Sequence, residues 1–267
     1  MRAFRVAYDG RPFAGFQRQP DASTVEGALF DALADLDVTG GGAPPGYAAA
    51  GRTDAGVSAV AQTVAFECPD WLSPAALNGA LPASVRAWAS ADVPAGFHAT
   101  HDAVRRRYVY HRYAPDADAD RASDAAAALS GDHDFHNLTP DETGTVRTLD
   151  ADCARDGDFL VVRVSADGFA RHLVRRLVSL VAAVADGASD LDRVDRVLSA
   201  DSLDGPEGVP TAPPTPLVLA GVDYPGVAFE TDPAAVESLR GVFGERRVDG
   251  LVAARVADTV LDGADAE

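Results

Sequence analysis

The chain has 267 residues, of which 47% are hydrophobic, and a formal net charge of -18. This hydrophobic content is typical of a globular protein with a buried core, which excludes a disordered tail. The longest apolar run, residues 177–185, is shorter than the roughly 18 residues that a membrane-spanning helix needs, so we expect no membrane partner.

The start of the chain and its cysteines predict a cytoplasmic protein. The sequence opens with a strand-like segment, without the charged and then apolar layout of a signal peptide. Cys68 and Cys153 are far apart and outside any paired spacing, which predicts two reduced thiols rather than a disulfide or a zinc site.

The make-up of the charge is more informative than its size. All 23 basic residues are Arg, and 33 of the 41 acidic residues are Asp. This bias is typical of proteins from extreme halophiles, in which short hydrated carboxylates keep the surface wet in concentrated salt. Because the Debye length is roughly 3 Å at 1 M salt, the negative charge does not exclude a nucleic-acid partner.

The first half of the chain reads as one mixed unit of strands and helices. In chain order we predict a strand at 2–8, a helix at 25–36 with a Ser23–Glu26 capping box, strands at 47–50 and 61–67, a short helix opened by Ser73 and Pro74, and a strand at 85–91.

The rest of the chain reads as a second mixed unit. We predict a strand at 104–113, a helix at 122–129, a hairpin of 145–155 and 159–165, a long helix at 169–185, a helix from Ser189 to 198, a Pro-rich loop at 204–216, a strand at 217–223 and a helix at 233–243. This order predicts an α/β (α+β) fold with an N-terminal domain at 1–103, a C-terminal domain at 104–246 and an extension at 247–267.

The segment 51–56 is hard to explain by packing. Gly51 and Gly56 bracket Arg52, Thr53 and Asp54 between two predicted strands, so a tight turn presents a carboxylate and a guanidinium. Turn chemistry alone is equally consistent with an ordinary hairpin that has Asp as a turn residue.

The longer run of residues 51–59, followed by Gln62 and Phe66, resembles the signature of the TruA-type tRNA pseudouridine synthases. Two departures from the family pattern are Phe16, where Trp is usual, and Ser58, where His is usual. Further segments resemble the family's other motifs in the same order: residues 8–19, 24–26, 97–99, 106–110, 169–175 and 217–225.

The resemblance implies a role for each of several side chains. Asp54 is the nucleophile, which either attacks the ribose C1′ or assists removal of a ribose proton. Arg175 is its positive partner, and Tyr108 stacks on the target base. Arg52 helps to extrude that base. The further substrate-binding residues are expected to be Arg106, Arg107 and Arg171. The basic segments are predicted to line one RNA-facing cleft: 105–107, 112, 171, 175 and 176.

The resemblance also implies an architecture and a substrate. Two domains would share one extended antiparallel sheet with helices on one face, and the active-site cleft would lie between them. The substrate would be tRNA, at uridines of the anticodon stem-loop, and the enzyme a homodimer. No metal and no small-molecule cofactor are expected, because the isomerisation involves no net redox change and no lost group.

Two other functions are open to test. His98 with His101 and His133 with His136 have spacings that can bind metal, and a hydrolase would combine such a pair with Asp132 or Asp134; neither pair has the spacing of the helical zinc motif. A non-catalytic RNA-binding module would explain the arginines, but it gives no reason for the Asp54 loop.

Overall fold

The computed structural model describes residues 1–203, 205 and 208–265. Ten strands form one sheet in the order β10-β4-β1-β3-β9-β5-β8-β7-β6, and β2 pairs with β3 beside this path. Their bounds are β1 (Arg2–Tyr8), β2 (Ala48–Ala49), β3 (Ser58–Phe66), β4 (Val85–Asp92), β5 (Arg105–Tyr113), β6 (Gly131–Asp134), β7 (Val146–Asp156), β8 (Phe159–Ala166), β9 (Leu217–Asp223) and β10 (Glu230–Thr231).

Six α-helices accompany the sheet in the described part of the chain: α1 (Val25–Asp35), α2 (Pro74–Asn78), α3 (Ala119–Ala128), α4 (Leu173–Ala185), α5 (Leu191–Leu198) and α6 (Pro233–Asp265). The predicted fold class, mixed α/β with one extended and mostly antiparallel sheet, is confirmed. Among the described residues, no helix has the length and apolar character needed to cross a membrane.

The two halves of the sheet meet where β9 lies between β3 and β5. β9 pairs antiparallel with β5, and it pairs parallel with β3 through Ser58 opposite Val218 and Ala59 opposite Leu219. We call this β3–β9 pairing the junction. It is the one parallel pairing among the described strands, and it begins directly after the 51–56 loop. The sheet therefore places that loop at the boundary between the two halves.

Two apolar clusters lie against the sheet. The first is built largely from β1, β3, β4 and α1, and it includes the fully buried rings of Phe4 and Phe66. The second is built largely from β8, α3 and α4, and it includes Leu160 and Leu177. Tyr108 packs against both clusters. The domain division at residues 103 and 104 stays a prediction.

Two predicted helix starts are wrong by one residue. The N-cap of α1 is Thr24, whose hydroxyl accepts a hydrogen bond from the Gly27 amide at 3.1 Å, rather than Ser23. The N-cap of α5 is Asp190 rather than Ser189. In both cases a second good capping side chain follows the predicted one and takes the cap, with extended backbone angles.

The long helices also differ from prediction. α4 begins at Leu173 instead of residue 169, because His172 adopts a left-handed backbone with φ of 64°. Arg171 therefore lies outside the helix that carries Arg175. α6 continues to Asp265, so the predicted helix 233–243 and the extension from 247 are one helix. The short strands β6 and β10 were not predicted, because two to four residues give too weak a pattern.

The Gly10 backbone lies against the strand that follows the 51–56 loop. Its amide donates to the Ser58 hydroxyl at 3.0 Å, and a Cβ added at Gly10 would lie 2.1 Å from the carbonyl oxygen of Val57. We therefore expect Gly10→Ala to lower the free energy of unfolding by about 2 kcal/mol, because backbone must move to admit the methyl group.

Denaturant titration in molar salt would measure this loss. Gly96→Ala is the matched control, since nothing lies within 4 Å of a Cβ at Gly96. Equal stabilities of the two variants would contradict the close approach of Gly10 to Val57.

Candidate active site

Hydrogen bonds to its backbone fix the loop that carries Asp54. The Gln62 side-chain amide donates to the carbonyl of Gly51 at 2.8 Å, and the amide of Phe16 donates to the carbonyl of Thr53 at 3.0 Å. The amide of Val57 closes the turn by donating to the Asp54 carbonyl at 3.1 Å. The loop therefore holds the Asp54 side chain, which is 34% exposed, at a fixed place in the cleft.

A buried pair of hydroxyls connects the loop to strand β1. The Tyr8 hydroxyl lies 2.7 Å from the Thr53 hydroxyl, and both side chains are buried. Burial is the main cause that raises the pKa of Tyr8, so its phenol stays neutral and keeps this hydrogen bond. Strand β1 thus supports the residue that precedes Asp54.

Arg175 of α4 reaches across the junction to Asp54. Its Nη1 donates to Asp54 Oδ2 at 2.8 Å, and its side chain is 16% exposed. The loop before β9 fixes this guanidinium, because Arg175 Nε donates to the Ala212 carbonyl at 2.8 Å and the Ala212 amide donates to the Arg175 carbonyl at 3.1 Å. Residues that are far apart in the sequence therefore meet in one ion pair.

Tyr108 of β5 lies in the same cleft. Its ring is half-buried and meets the ring of Phe169 edge to face, with the centroids 5.2 Å apart. Burial raises the pKa of Tyr108 to about 12, with the charge of Asp54 adding to the rise and that of Arg106 opposing it. The phenol is therefore neutral at any working pH and presents an aromatic face and a hydroxyl donor.

The cleft has a volume of about 940 Å³ and is lined from both halves of the chain. This volume lies at the upper end of the range for small-ligand sites, which leaves room for a nucleotide and part of its neighbours. Six of the seven predicted site residues line it: Arg52, Asp54, Arg106, Tyr108, Arg171 and Arg175.

The predicted arginines differ in what holds them. Arg106 donates to the carbonyls of Ala50 at 2.8 Å and Thr100 at 2.7 Å, and also to the carbonyl of Asp167. The Arg171 guanidinium lies 3.3 Å from the carboxylate of Asp141. Both side chains are therefore held by the protein itself.

Arg52 is an exposed cation of the cleft, and none of the described residues forms a hydrogen bond or an ion pair with its side chain. Its guanidinium can therefore meet an anionic ligand without first breaking a contact.

The expectation that all the basic segments line one cleft is wrong. Arg107 forms an ion pair with Asp223, Arg105 with Asp150, and Arg112 with Asp186. None of these three arginines lines the cleft. Side chains alternate between the two faces of a strand, so Arg105 and Arg107 point away from the face that carries Arg106 and Tyr108.

Ser58, where the family pattern has His, lies outside the cleft. Its hydroxyl accepts a hydrogen bond from the Gly10 amide, and its side chain lines a separate cavity of about 490 Å³ beside Asp9 and Arg246. Asp9 forms ion pairs there with Arg11 and Arg246. This departure from the family pattern therefore lies at a cavity beside α6 rather than in the cleft of Asp54.

Several side chains of the cleft were not assigned a role from the sequence. His172 Nε2 lies 3.7 Å from Asp54 Oδ2, and Arg147 and Phe169 also line the cleft. Both His172 and Phe169 belong to the 169–175 motif, which is the signal that could have found them. Arg147 stands alone in a hairpin strand and carries no such signal.

The histidine pairs lie away from the cleft. The rings of His98 and His101 are tilted by 33° with centroids 4.1 Å apart, and His133 Nε2 lies 2.9 Å from the Ser130 carbonyl. Within residues 1–203, 205 and 208–265, no three His, Cys, Asp or Glu side chains are placed to hold a metal ion. The arrangement gives no support to the metal-dependent hydrolase.

The comparisons with known proteins show the family of the chain. Residues 125–225 match the family model described as tRNA pseudouridine synthase, which places the protein among the RNA-modifying isomerases. A tRNA pseudouridine synthase A from Haloarcula marismortui is 61% identical and covers 98% of this chain and 100% of its own length. Another from Natronomonas pharaonis is 62% identical and covers 96% of this chain and 97% of its own length. The chain belongs to the tRNA pseudouridine synthase family.

Among solved structures, a Cbf5-Nop10-Gar1 complex matches with a TM-score of 0.36 and 14% identity, covering 68% of this chain and 45% of that chain. A likeness at this level carries no argument about the site. The halophilic sources of the two relatives fit the halophilic origin that the Asp and Arg content predicts.

The Asp54–Arg175 contact predicts energetic coupling between the two residues. Arg175→Gln leaves a partly buried carboxylate without its cation, whereas the same change in an Asp54→Asn background leaves two neutral amides. We expect the double variant to lose about 1 kcal/mol less free energy of unfolding than the two single variants together.

The matched control is the exposed pair Arg163 and Asp152, whose side chains are 50% and 63% exposed and whose charged atoms lie 3.1 Å apart. Because salt screens exposed pairs, we expect Arg163→Gln and Asp152→Asn to be additive in molar salt. Additivity at Asp54 and Arg175 as well would show that their contact contributes nothing.

Proposed function

We propose that the protein converts uridine to pseudouridine in the anticodon stem-loop of tRNA, with Asp54 as the nucleophile. The observation that carries this proposal is the Asp54–Arg175 ion pair, with 2.8 Å between Nη1 and Oδ2, inside a cleft that can accept a nucleotide. Family membership supplies the reaction and the class of substrate.

The reaction requires only that the base be detached, turned and reattached. The bond from N1 to the ribose C1′ breaks, a bond from C5 to C1′ forms, C5 loses a proton and N1 gains one. Atoms and electrons balance without an oxidant or a reductant, and the detached uracil is retained in the product. A carboxylate suits this reaction because it can attack C1′ and stabilise the cationic character of the sugar.

The other cleft residues fit the handling of the base. A uridine within a stem must leave its stack to reach a carboxylate that lies inside a cleft. Tyr108, whose ring packs against Phe169, would stack on the extruded base, and the exposed Arg52 would meet the backbone phosphate. Arg106 and Arg171, which the protein itself holds, shape the cleft and add positive charge near it.

We also propose that the enzyme is a cytoplasmic homodimer. The outer half of α6 supports a second copy as its partner, because it exposes a row of apolar side chains at helical spacing: Val248, Leu251, Val252, Val256, Val260 and Leu261. Such a row is unusual on the surface of a monomer. The charged residues within this row are Asp249, Arg255 and Asp258. Their net charge is negative, so the row does not favour RNA as its partner.

Asp54→Asn is the sharpest test of the nucleophile, since it nearly preserves shape and removes the charge. With unmodified tRNA in molar salt, we expect pseudouridine formation to fall at least ~10³-fold, because the amide is a far weaker nucleophile. Mapping the modified positions in the same reactions would test the anticodon-arm assignment.

Asp152→Asn is the control for this substitution, because Asp152 is an exposed aspartate of the outer strand β7. A chelator is expected to leave the wild-type rate unchanged. Near-normal modification by Asp54→Asn would refute the nucleophile, and new pseudouridines confined to other arms of the tRNA would refute the target.

The dimer has its own test in light scattering. We expect the wild-type protein to have twice the chain mass and Val252→Asp/Val256→Asp to have the mass of one chain, because a charge in the apolar row opposes burial. Leu191→Asp, at an exposed apolar residue of α5, is the control and should leave the dimer intact. A monomeric wild-type protein would exclude the homodimer.

A further inference from the structure

The backbone of His172 is unusual for its place in the fold. His172 is the N-cap residue of α4, with φ of 64° and ψ of -1°. A side chain in this left-handed region is crowded by its own backbone, so glycine or asparagine is the more usual residue there. The described residues include two other non-glycine residues with positive φ, Asp21 and Asp37, and aspartate tolerates this region.

The imidazole does not stabilise the end of the helix. The N-cap side chains of α1, α2, α3 and α5 each accept a hydrogen bond from a backbone amide, and they are Thr24, Ser73, Asp118 and Asp190. His172 makes no such side-chain bond. On stability alone, asparagine or glycine would be favoured at this position.

The imidazole lies beside the nucleophile instead. Its Nε2 is 3.7 Å from Asp54 Oδ2, which is the oxygen that accepts the hydrogen bond from Arg175. None of the described residues donates a hydrogen bond to the other oxygen, Oδ1. Both nitrogen contacts are therefore on one side of the carboxylate.

The backbone around His172 is held from both sides, which fixes the point from which the imidazole extends. The Arg171 amide donates to the Asp141 carboxylate at 2.8 Å, and the Arg176 amide donates to the His172 carbonyl at 3.0 Å. The Leu173 amide donates to the carbonyl of Ala170 at 3.2 Å. The left-handed turn thus brings the imidazole into the cleft just before α4 begins.

We propose that His172 is a positioning residue: together with Arg175 it holds Oδ2 of Asp54, so that Oδ1 faces the ribose and attacks C1′. The inference rests on the proposed function. The Oδ1–C1′ bond forms as the C1′–N1 bond breaks, and the electron pair of that bond goes to the detached uracil. C5 of the uracil then displaces Oδ1 from C1′, and the electron pair of the Oδ1–C1′ bond returns to the carboxylate. C5 loses its proton, and N1 gains one.

His172→Gly separates this role from a structural one. We expect kcat to fall roughly 10- to 100-fold with KM within twofold of the wild-type value, because a misplaced nucleophile slows the chemical step without weakening tRNA binding. The melting temperature should be unchanged or higher, since glycine adopts the left-handed backbone freely. Imidazole added to the assay should restore part of the lost kcat.

Two variants serve as matched controls. Asp37→Gly makes the same backbone change at another exposed left-handed residue, with φ of 55°, and should leave kcat unchanged. His172→Asn tolerates the same backbone but lacks Nε2, so it should lose kcat as His172→Gly does.

The outcomes distinguish this inference from the function on which it rests. If Asp54→Asn is inactive while His172→Gly keeps kcat within twofold, the positioning role is wrong and the nucleophile stands. A loss of kcat that accompanies a lower melting temperature and does not respond to imidazole also overturns the role, because it indicates a structural effect. If Asp54→Asn is active, the proposed function itself fails.

Discussion

The site depends on the junction between β3 and β9. This short parallel pairing joins two halves that each have an apolar cluster, and it begins where the loop that carries Asp54 ends. Because α4 packs on one half and the loop belongs to the other, the Asp54–Arg175 contact exists only while the junction is formed. The site is therefore a property of the whole sheet rather than of either half.

The arginines of this protein form internal hydrogen bonds to backbone carbonyls as well as carrying surface charge. Arg86 of β4 donates to the carbonyls of Pro82 at 2.8 Å and Val85 at 2.7 Å, and Arg106 binds three carbonyls around the cleft. Five donors in a rigid plane make such multiple contacts possible, whereas the three donors of a lysine sit on one atom. Contacts of this kind resist the screening that weakens exposed ion pairs in molar salt.

Local patterns in the sequence were enough for most elements and for the loop that carries the proposed nucleophile. Strand β9 has the predicted bounds, and the 51–56 loop carries its carboxylate into a cleft as expected. Features that depend on tertiary placement could not be predicted from the sequence, such as the hydrogen bond from Arg175 to Ala212 or the left-handed turn at His172. Arg107 shows the same limit, because a run of three arginines does not reveal which of them face the cleft.

The loop before β9 has less freedom than its proline-rich sequence suggests. The carbonyl and the amide of Ala212 both form hydrogen bonds with Arg175. A Cβ at Gly56 would lie 3.1 Å from the ring of Pro214, and strand β9 begins three residues after Pro214, at Leu217. Surface loops ordinarily tolerate insertions and deletions. Here a single inserted residue after Ala212 would shift either the guanidinium or the register of β9, so the length of this segment is as constrained as the identity of a catalytic side chain.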